Sequence, residues 1–396
     1  MRFGLFFFFS IIFFSYSERV IEKFPNGKVK IAYTLNKEGK KHGTYSEFFE
    51  NGKPKIRCSY NNGILFGNYA SYHDNGRPHK SIVYRDGKIN GTYLERNDRG
   101  LILKDSIYTD NILIYPKGKN LLKSQLRSIN SSKPNRKDTK FTSSKYAKAV
   151  NLLNSYRAIV GIDFDVKLKD EYCETAQAGA ELCAKIGKLD HTPKNPGLPE
   201  DKYRKGYEGT SKSNLSMGRS MEATPMAYMD DSDKSNISRV GHRRWCINPA
   251  MQYTGFGAKG KFSAMYAFDQ SRQTIPDYDY IAFPTRGFHP TKYFASHYAW
   301  SISLNPNKYS APSKSVKVNI YPLGRTGRLP FDTKGKEPLE LNYFNVDGGG
   351  FGIKYCIIFR PKEIKISGKY WVEIKGVKDN SGKEVTIGYL VDFVSI

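Results

Sequence analysis

An internal repeat of 24 residues dominates the first third of the chain. Its copies begin at Gly43, Gly67 and Gly91, and each reads Gly-x-Tyr, an alternating run, an Asn-Gly or Arg-Gly turn and a second alternating run. Alternation of apolar and polar residues indicates half-buried strands, and the turn dipeptides supply the positive φ of a hairpin turn. Each copy is therefore predicted to form a β-hairpin. Hairpins that cannot bury a face alone must stack, which predicts a small solenoid or meander.

The landmarks of these units resemble MORN-type repeats, in the variant form of exported bacterial proteins. The resemblance covers residues 19–116 and includes a weaker first copy, "EKFPNGKVKIAYTLNKEGKKH". It implies a protein-binding or lipid-binding module, or a spacer, in place of a catalytic domain.

Residues 1–17 have the pattern of a signal peptide. Arg2 precedes twelve apolar residues, and "SYS" offers small residues before a cut near Ser17. Twelve residues of helix rise only about 18 Å, whereas the hydrocarbon core of a membrane is about 30 Å thick. We therefore expect export to the cell envelope or the exterior, with a short membrane anchor as the alternative reading.

Residues 117–145 are strongly basic, with nine Lys or Arg against one Asp, and are predicted to be a flexible linker. The formal net charge of +25 would attract an anionic surface. The lysines are scattered over every segment, so a plain solvated surface is the competing explanation. No RNA-binding or DNA-binding pattern is present, and nucleic acid is not expected as a partner.

Residues 146–272 change character. The apolar spacing from Tyr146 to Tyr156 predicts one helix, and "KDEYCETAQAGAELCAKIGKL" predicts a second. Cys173 and Cys183 would lie about 15 Å apart on that helix, beyond the disulfide limit of about 7 Å. The five cysteines either pair elsewhere or are small buried apolar residues. The later run "TGFGAKGKFSAMYAFDQS" alternates as strands do, so the segment is predicted to be an α+β domain.

Residues 273–396 contain short alternating runs such as "YAWSISLN", "KYCIIFRPKEI" and "GKYWVEIKGV" between Gly, Pro and Asn. This spacing predicts an antiparallel β-sandwich-like domain. The glycine-rich "VDGGGFG" has neither a following helix pattern nor a Lys-Ser/Thr pair, so we interpret it as a turn and not as a phosphate-binding loop.

Five landmarks within residues 146–272 occur in a characteristic order: "NLLNSYRAIVGI", the Ala-rich predicted helix that ends just before His191, "KSNLSMG", "AYMDDSD" and "VGHRRWCINPAMQYTGFGA". This order resembles the CAP superfamily of cysteine-rich secretory proteins, antigen 5 and pathogenesis-related proteins, in its bacterial branch. The resemblance implies an α-β-α sandwich with a cleft into which two histidines and two acidic residues project.

Carried over position by position, His191 and His242 match the two histidines of the family. Asp231, in a Tyr-x-x-Asp pattern, matches the second acid. Ser213, in "KSNL", stands where the family motif Gly-Glu-Asn-Leu has its carboxylate. The acidic pair is therefore incomplete, and no residue is assigned as catalytic.

The residues that follow His242 are expected to form a structural shoulder of the cleft. Trp245 is interpreted as an anchor in the core. Arg243 and Arg244 are expected to pair with the acidic residues of "MDDSD" or to face solvent.

Two neutral imidazoles and a carboxylate suit Zn²⁺ or another divalent cation, and the loss of one carboxylate weakens such a site. The alternative is that both histidines are structural and hydrogen-bonded within the cleft. A hydrolase would need a base that Ser213 cannot supply unaided, although Glu208 or Glu222 could replace the missing carboxylate.

Three functions remain open from the sequence. The first is an exported, non-enzymatic binding or scaffold protein whose groove holds a lipid, peptide or glycan from the envelope or the exterior. The second is a metal-dependent hydrolase of cell-surface material that uses His191 and His242. The third is a surface protein that binds polyanions through the basic linker and the repeats.

Overall fold

A computed structural model describes residues 17–324 and 332–396. The chain divides into two compact units, Met1–Leu113 and Ile114–Ile396. Helices and several separate sheets are both present, as the α+β prediction required. The expected signal peptide lies, apart from its last residue, outside the described residues and stays a prediction. Within the described ranges, no helix is long and apolar enough to cross a membrane.

The first unit is built on an antiparallel sheet whose nine strands follow one another in chain order, and the last strand crosses the boundary between the units. The predicted hairpins are thus confirmed as a meander. The strands are β1 (Glu18–Lys23), β2 (Val29–Leu35), β3 (Lys41–Phe48), β4 (Pro54–Asn61), β5 (Ile64–Tyr72), β6 (Pro78–Arg85), β7 (Lys88–Arg96), β8 (Ile102–Thr109) and β9 (Ile112–Tyr115).

The Gly-x-Tyr landmark has a physical reason in this sheet. Gly91 has a φ of +132°, and a Cβ at its position would lie 3.0 Å from Cβ of Val83. Tyr93 stacks obliquely against Tyr108 on the next strand, with ring centroids 6.1 Å apart. The glycine therefore permits close approach, and the tyrosine supplies a cross-strand aromatic pair.

Part of the segment expected to be a flexible linker forms the helix α1 (Lys119–Ser131). Leu122, Leu126 and Ile129 are its buried residues, and their spacing of four and three places them on one face, which packs on the helix α2 (Ser144–Val160). Three well-spaced apolar residues thus order a stretch whose overall composition is basic and polar.

The next part of the chain places helices around a four-stranded sheet of order β10-β12-β13-β11. The predicted helices around Tyr146–Tyr156 and Cys173–Cys183 are confirmed. The elements are α2, α3 (Asp170–Ile186), α4 (Glu200–Ser211), α5 (Thr224–Asp230), α6 (Gly241–Cys246), a 3₁₀ turn (Met221–Ala223), β10 (Lys167–Leu168), β11 (Ser213–Met217), β12 (Tyr253–Lys259) and β13 (Phe262–Tyr266).

Glycines on β12 allow α3 to lie directly on one face of this sheet. A Cβ at Gly255 would come within 2.1 Å of the backbone of Tyr172, and one at Gly257 within 2.2 Å of the backbone of Gln177. On the opposite face of the sheet, Phe256 packs in the apolar cluster that also contains buried apolar residues of α2. The sheet therefore has helical packing on both faces.

The C-terminal part forms two four-stranded sheets that share one core. Rings from both sheets meet there, and Trp300 of the first lies 6.0 Å from Phe393 of the second. The first sheet contains β14 (Tyr280–Phe283), β16 (Trp300–Leu304), β19 (Cys356–Pro361) and β18 (Leu341–Asp347); the second contains β15 (Gly287–Pro290), β21 (Glu384–Val394), β20 (Lys369–Lys378) and β17 (Lys317–Leu323), and a 3₁₀ turn (Thr291–Tyr293) follows β15.

One pairing departs from the antiparallel expectation, because β15 runs parallel to β21. Almost the whole C-terminal part separates these two strands, and so long a connection allows a parallel crossover that a short hairpin turn does not. The five cysteines are all buried free thiols. Their placement agrees with the reading of these residues as small apolar core residues.

Candidate ligand-binding cleft

A cleft of about 560 Å³ opens in the second unit where α6, the start of β11 and the loop after β18 meet. Three of the four positions carried over from the resemblance line it, namely His191, Ser213 and His242. The fourth, Asp231, lies behind His242 and contacts its ring. The structure therefore brings all four positions to one place.

Asp231 holds His242 in a fixed orientation. Nδ1 of His242 lies 2.8 Å from Oδ1 of Asp231, and the backbone N–H of His242 donates to Oδ2 at 2.9 Å. The carboxylate side chain is only 1% exposed, whereas that of the imidazole is 20% exposed. Asp231 adopts a left-handed conformation with a φ of 45° at the end of α5, which aims its carboxylate at the start of α6.

His191 is fixed differently, by the end of α4. Its Nδ1 lies 2.8 Å from the carbonyl oxygen of Thr210, and the Thr210 hydroxyl donates back to the carbonyl oxygen of His191 at 3.3 Å. A carbonyl oxygen can only accept a hydrogen bond, so Nδ1 of His191 carries the proton. The helix α3 ends at Gly187 in the left-handed conformation, which lets the chain turn toward this position.

The two imidazoles therefore present the same atom to the cleft. Their ring centroids are 6.3 Å apart. Each Nδ1 donates to an oxygen, so in the neutral ring each Nε2 is left with a lone pair and no proton. Neither Nε2 has a hydrogen-bond partner among the described residues. The cleft floor is thus a pair of hydrogen-bond acceptors.

Ser213, at the start of β11, adds an unused hydroxyl to this floor. The residue is 3% exposed, and its Oγ has no hydrogen-bond partner in the described part of the chain. A buried hydroxyl without a partner costs free energy unless something else satisfies it. Ser213 belongs to the cleft lining, where a water or a bound molecule could supply that partner.

The expectation that Arg243 and Arg244 pair with the acidic residues of "MDDSD" or face solvent is wrong. Arg243 is fully buried, and it donates to the carbonyl oxygens of Met229, Asp230 and Ala299 at 2.8, 2.5 and 2.7 Å. Burial lowers its pKa. The arginine therefore ties the end of α5 to the loop before β16 through backbone oxygens.

Arg244 instead connects α6 to the end of β18. Its Nη1 lies 2.6 Å from Oδ2 of Asp347, and its Nε donates to the carbonyl oxygen of Ile353 at 2.8 Å. A further hydrogen bond reaches the carbonyl oxygen of Gly349. Arg244 therefore holds the glycine-rich loop, which the sequence analysis interpreted as a turn, through hydrogen bonds to Asp347, Gly349 and Ile353.

That loop supplies cleft residues that sequence reasoning missed. Phe351 lines the cleft, and the guanidinium groups of Arg244 and Arg239 lie 5.2 and 5.9 Å from its ring centroid. A Cβ on Gly352 would come 2.8 Å from the Trp245 ring. The spacing Asp-Gly-Gly-Gly-Phe-Gly was the available signal, because a fixed aromatic among glycines suggests close packing.

Trp245 forms the other aromatic wall. It is mostly buried and stacks on Phe268 with ring centroids 4.2 Å apart and an interplanar angle of 21°. Phe268 is 42% exposed and also lines the cleft. Trp245 thus both packs in the core and faces the cavity.

Arg157 is fully buried and contacts the segment that follows α6. Its guanidinium donates to the carbonyl oxygens of Cys246 and Asn248 at 3.2 and 2.7 Å. Burial lowers its pKa to about 9. The segment that follows α6 is therefore held in place by a cation that donates to backbone carbonyl oxygens.

The residues fit a metal ion only in part. Two imidazole nitrogens are available, and the hydrogen bonds from Nδ1 to Asp231 and Thr210 are of the kind that orient metal-binding histidines. Zinc sites, however, use three or four protein ligands. Across residues 17–324 and 332–396, no group of three or more His, Cys, Asp or Glu could hold a metal ion. Neither Glu208 nor Glu222 lines the cleft.

Comparisons with known proteins agree with the motif order. The model of the cysteine-rich secretory protein (CAP) family matches residues 150–268, a segment that contains all four carried-over positions. That segment is therefore similar to the CAP family. No curated protein shows significant sequence similarity to the chain. A crystal structure of selenomethionine PcoC, a copper resistance protein from Escherichia coli, matches with 13% identity and a TM-score of 0.20, and covers 28% of this chain and 95% of that chain.

Proposed function

We propose that the protein is an exported, non-enzymatic binding protein whose CAP domain holds a small ligand in the cleft. The observation that carries this proposal is the lining itself. Aromatic walls surround two imidazoles and the hydroxyl of Ser213, which has no hydrogen-bond partner among the described residues. The volume of the cleft, about 560 Å³, lies within the range of about 300–1,000 Å³ that is typical of ligand pockets.

The nearby carboxylates favour binding over hydrolysis, because both are already engaged by neighbouring groups of the protein. Asp231 accepts hydrogen bonds from the Nδ1 of His242 and from two backbone N–H groups. Asp347 is paired with Arg244. A carboxylate held in this way orients its neighbours and is poorly placed to activate water as a general base. The serine at the family's carboxylate position removes the second acidic residue of the family.

The proposal includes the family's architecture. We propose that residues 146–272 form the α-β-α sandwich of CAP proteins, which is supported by α3 on one face of the sheet and by the α2 cluster on the other. Residues 347–352 then close the family cleft from outside the family segment, because Phe351 and Gly350 belong to its lining.

The first unit would serve as a MORN-like interaction module or spacer. This part of the proposal rests on the period of 24 residues and on the antiparallel sheet. Export rests on the leader-like pattern of residues 1–17. Together these features suit a protein that presents a binding cleft in the envelope or outside the cell.

Weak binding of a divalent cation is a second candidate for the same cleft. The specific observation in its favour is that both histidines line the cleft while their Nδ1 atoms donate to oxygens, which leaves each Nε2 free to bind a cation. His191 and His242 would hold the cation, and other donors would have to complete its coordination. Such a cation would supply electrostatic attraction for an anionic ligand group.

A thermal-shift screen tests the binding proposal. The mature chain would be tested against lipids, peptides and neutral glycans, alongside Phe351→Ala, which removes one wall of the cleft. Phe66→Ala is the matched control, because Phe66 is an exposed aromatic residue in the other unit. We expect at least one class to raise the Tm of the wild type and of Phe66→Ala but not of Phe351→Ala. A shift that survives Phe351→Ala, or no shift with any class, would contradict the proposal.

A further inference from the structure

The cleft lining has a distinctive chemical composition. Among the described residues, the lining contains no carboxylate and a single formal charge, on Arg239. The remaining polar groups are imidazoles, hydroxyls and amides, including those of Asn236 and Gln270. A lining of this kind suits a ligand that is uncharged and rich in hydrogen-bonding groups.

The hydrogen-bonding groups of the lining are of both kinds. The Nε2 atoms of His191 and His242 can only accept while their rings are neutral, whereas the guanidinium of Arg239 can only donate. The hydroxyl of Ser213 can do either and has no partner of its own. A ligand must therefore present donors and acceptors close together, which hydroxyl groups do because each both donates and accepts.

The aromatic walls of the cleft supply the apolar surface that a ligand would contact. Trp245 and Phe268 are nearly parallel, at 21°, and Phe268 leaves 42% of its surface exposed. Phe351 faces the same cavity from the C-terminal part. The face of an aromatic ring is electron-rich, so it attracts the slightly positive C–H groups of a flat, polar ring system. A pyranose ring has apolar C–H faces and a rim of hydroxyls.

Other ligands match the lining less well. An aliphatic chain would cover the aromatic walls but would offer no hydrogen bond to the Ser213 hydroxyl, which has no partner among the described residues. An anionic head group could pair with Arg239, but it would meet the lone pairs of both Nε2 atoms while the two rings are neutral. A peptide backbone has donors and acceptors but no flat apolar face for the stacked rings.

We infer that the ligand of the cleft is a neutral glycan, bound through a pyranose ring that stacks on the aromatic walls and hydrogen-bonds to Ser213, His191 and His242. This inference rests on the proposed function and narrows it to one class of ligand. The hydroxyl of Ser213, at the position where the family motif has a carboxylate, then becomes a residue that determines specificity.

The test is calorimetric titration and saturation-transfer NMR of the mature chain with two neutral tetrasaccharides, chitotetraose and cellotetraose. They distinguish an N-acetylated, cell-wall type of sugar from a plain glucan. Dodecanol is the apolar probe. The variants are Ser213→Ala and Phe351→Leu, and the matched control is Ser216→Ala, because Ser216 is buried on the same strand but does not line the cleft.

We expect at least one tetrasaccharide to bind, with a Kd raised about tenfold or more by Phe351→Leu and by Ser213→Ala and unchanged by Ser216→Ala. Binding of dodecanol alone, lost in Phe351→Leu, would overturn the glycan inference and leave the proposed cleft standing. No binding of any probe to the folded wild-type chain would overturn the glycan inference and count against the proposed function as well. Tetrasaccharide binding that all three variants retain would place the sugar elsewhere and overturn the inference.

Discussion

Arg244 on α6 and Asp347 at the end of β18 form an ion pair with 2.6 Å between Nη1 and Oδ2. The arginine side chain is 1% exposed and the aspartate side chain 21%. This pair joins the CAP segment, residues 150–268, to the loop that carries Phe351. The cleft therefore depends on a contact between two parts of the chain that are about 100 residues apart.

The first prediction concerns this pair. Asp347→Ala should lower the free energy of unfolding by about 3 kcal/mol, because it leaves a buried guanidinium without its counter-ion. Urea denaturation measures the change. The control is Asp277→Ala, which breaks a surface pair with Lys308 in which the aspartate is 79% exposed, and should cost at most about 1 kcal/mol. Equal effects of the two variants would contradict the structural role of the Arg244–Asp347 pair.

The second prediction concerns the missing carboxylate. Ser213→Glu would place an acidic side chain beside His191 and His242, and should strengthen Zn²⁺ binding at least about tenfold. Calorimetric titration measures it at pH 7.5, where imidazoles are mostly neutral. Ser213→Gln is the matched control of equal size without the charge, and should not show the gain. If Glu and Gln behave alike, the serine is not what weakens the site.

The third prediction concerns pH. His289 is fully buried, and burial lowers its pKa to about 3, against about 6.5 in the unfolded chain. Between these values the unfolded chain binds more protons, so the contribution of His289 is complete above about pH 6.5 and is lost as the pH falls toward 3. Its slope is at most about 1.4 kcal/mol per pH unit.

Urea denaturation at pH 7.0, 5.5 and 4.5 measures this slope. His289→Asn keeps an acceptor for the backbone N–H of Thr285, which donates to Nδ1 at 3.0 Å, but it cannot titrate. The variant should be less stable than the wild type at pH 7.0, because it fills less of the site, and the difference should shrink as the pH falls. If the difference in the free energy of unfolding between the wild type and His289→Asn is the same at all three pH values, the pH dependence does not come from His289.

The fourth prediction concerns the contact of α3 with the sheet. Gly257→Ala would place Cβ 2.2 Å from the backbone of Gln177, so the helix or the strand must move. Overpacking of this kind costs about 1–3 kcal/mol, and rigid backbone on both sides favours the upper end. The control is Gly161→Asn at the end of α2, where φ is +85° and nothing lies within 4 Å. Asparagine tolerates that conformation, so its effect on the Tm should be much smaller.

The sequence predicted the architecture where local pattern decides it. The turn dipeptides and alternation between Gly43 and Ile114 were sufficient to predict the hairpins but left a solenoid and a meander open, and the structure shows the meander, in which each strand pairs with its sequence neighbour. Helix α1 was not predicted, because its three buried residues lie in a segment that is otherwise basic and polar. The parallel pairing of β15 with β21 was not predicted, because a local sequence pattern does not indicate which distant strand a strand will pair with.

The site was predictable only as far as the family motifs reach. The motif order pointed to His191, Ser213, Asp231 and His242, and these residues do lie together around the cleft. The burial of Arg243 and Arg244 was not foreseen, since their partners are backbone oxygens and a carboxylate about 100 residues away. Phe351 was missed for the same reason, because tertiary packing alone brings its loop to the cleft.

Hydrogen exchange tests the central claim, that α6 and the loop after β18 enclose one ligand. The measurement compares the whole mature chain with and without the compound that raises its Tm most, and follows peptides that cover residues 240–246 and 347–352. The account predicts slower exchange in both peptides, because a ligand between Trp245 and Phe351 contacts both walls. Slower exchange that spares both peptides, or protection of only one of them, would contradict it.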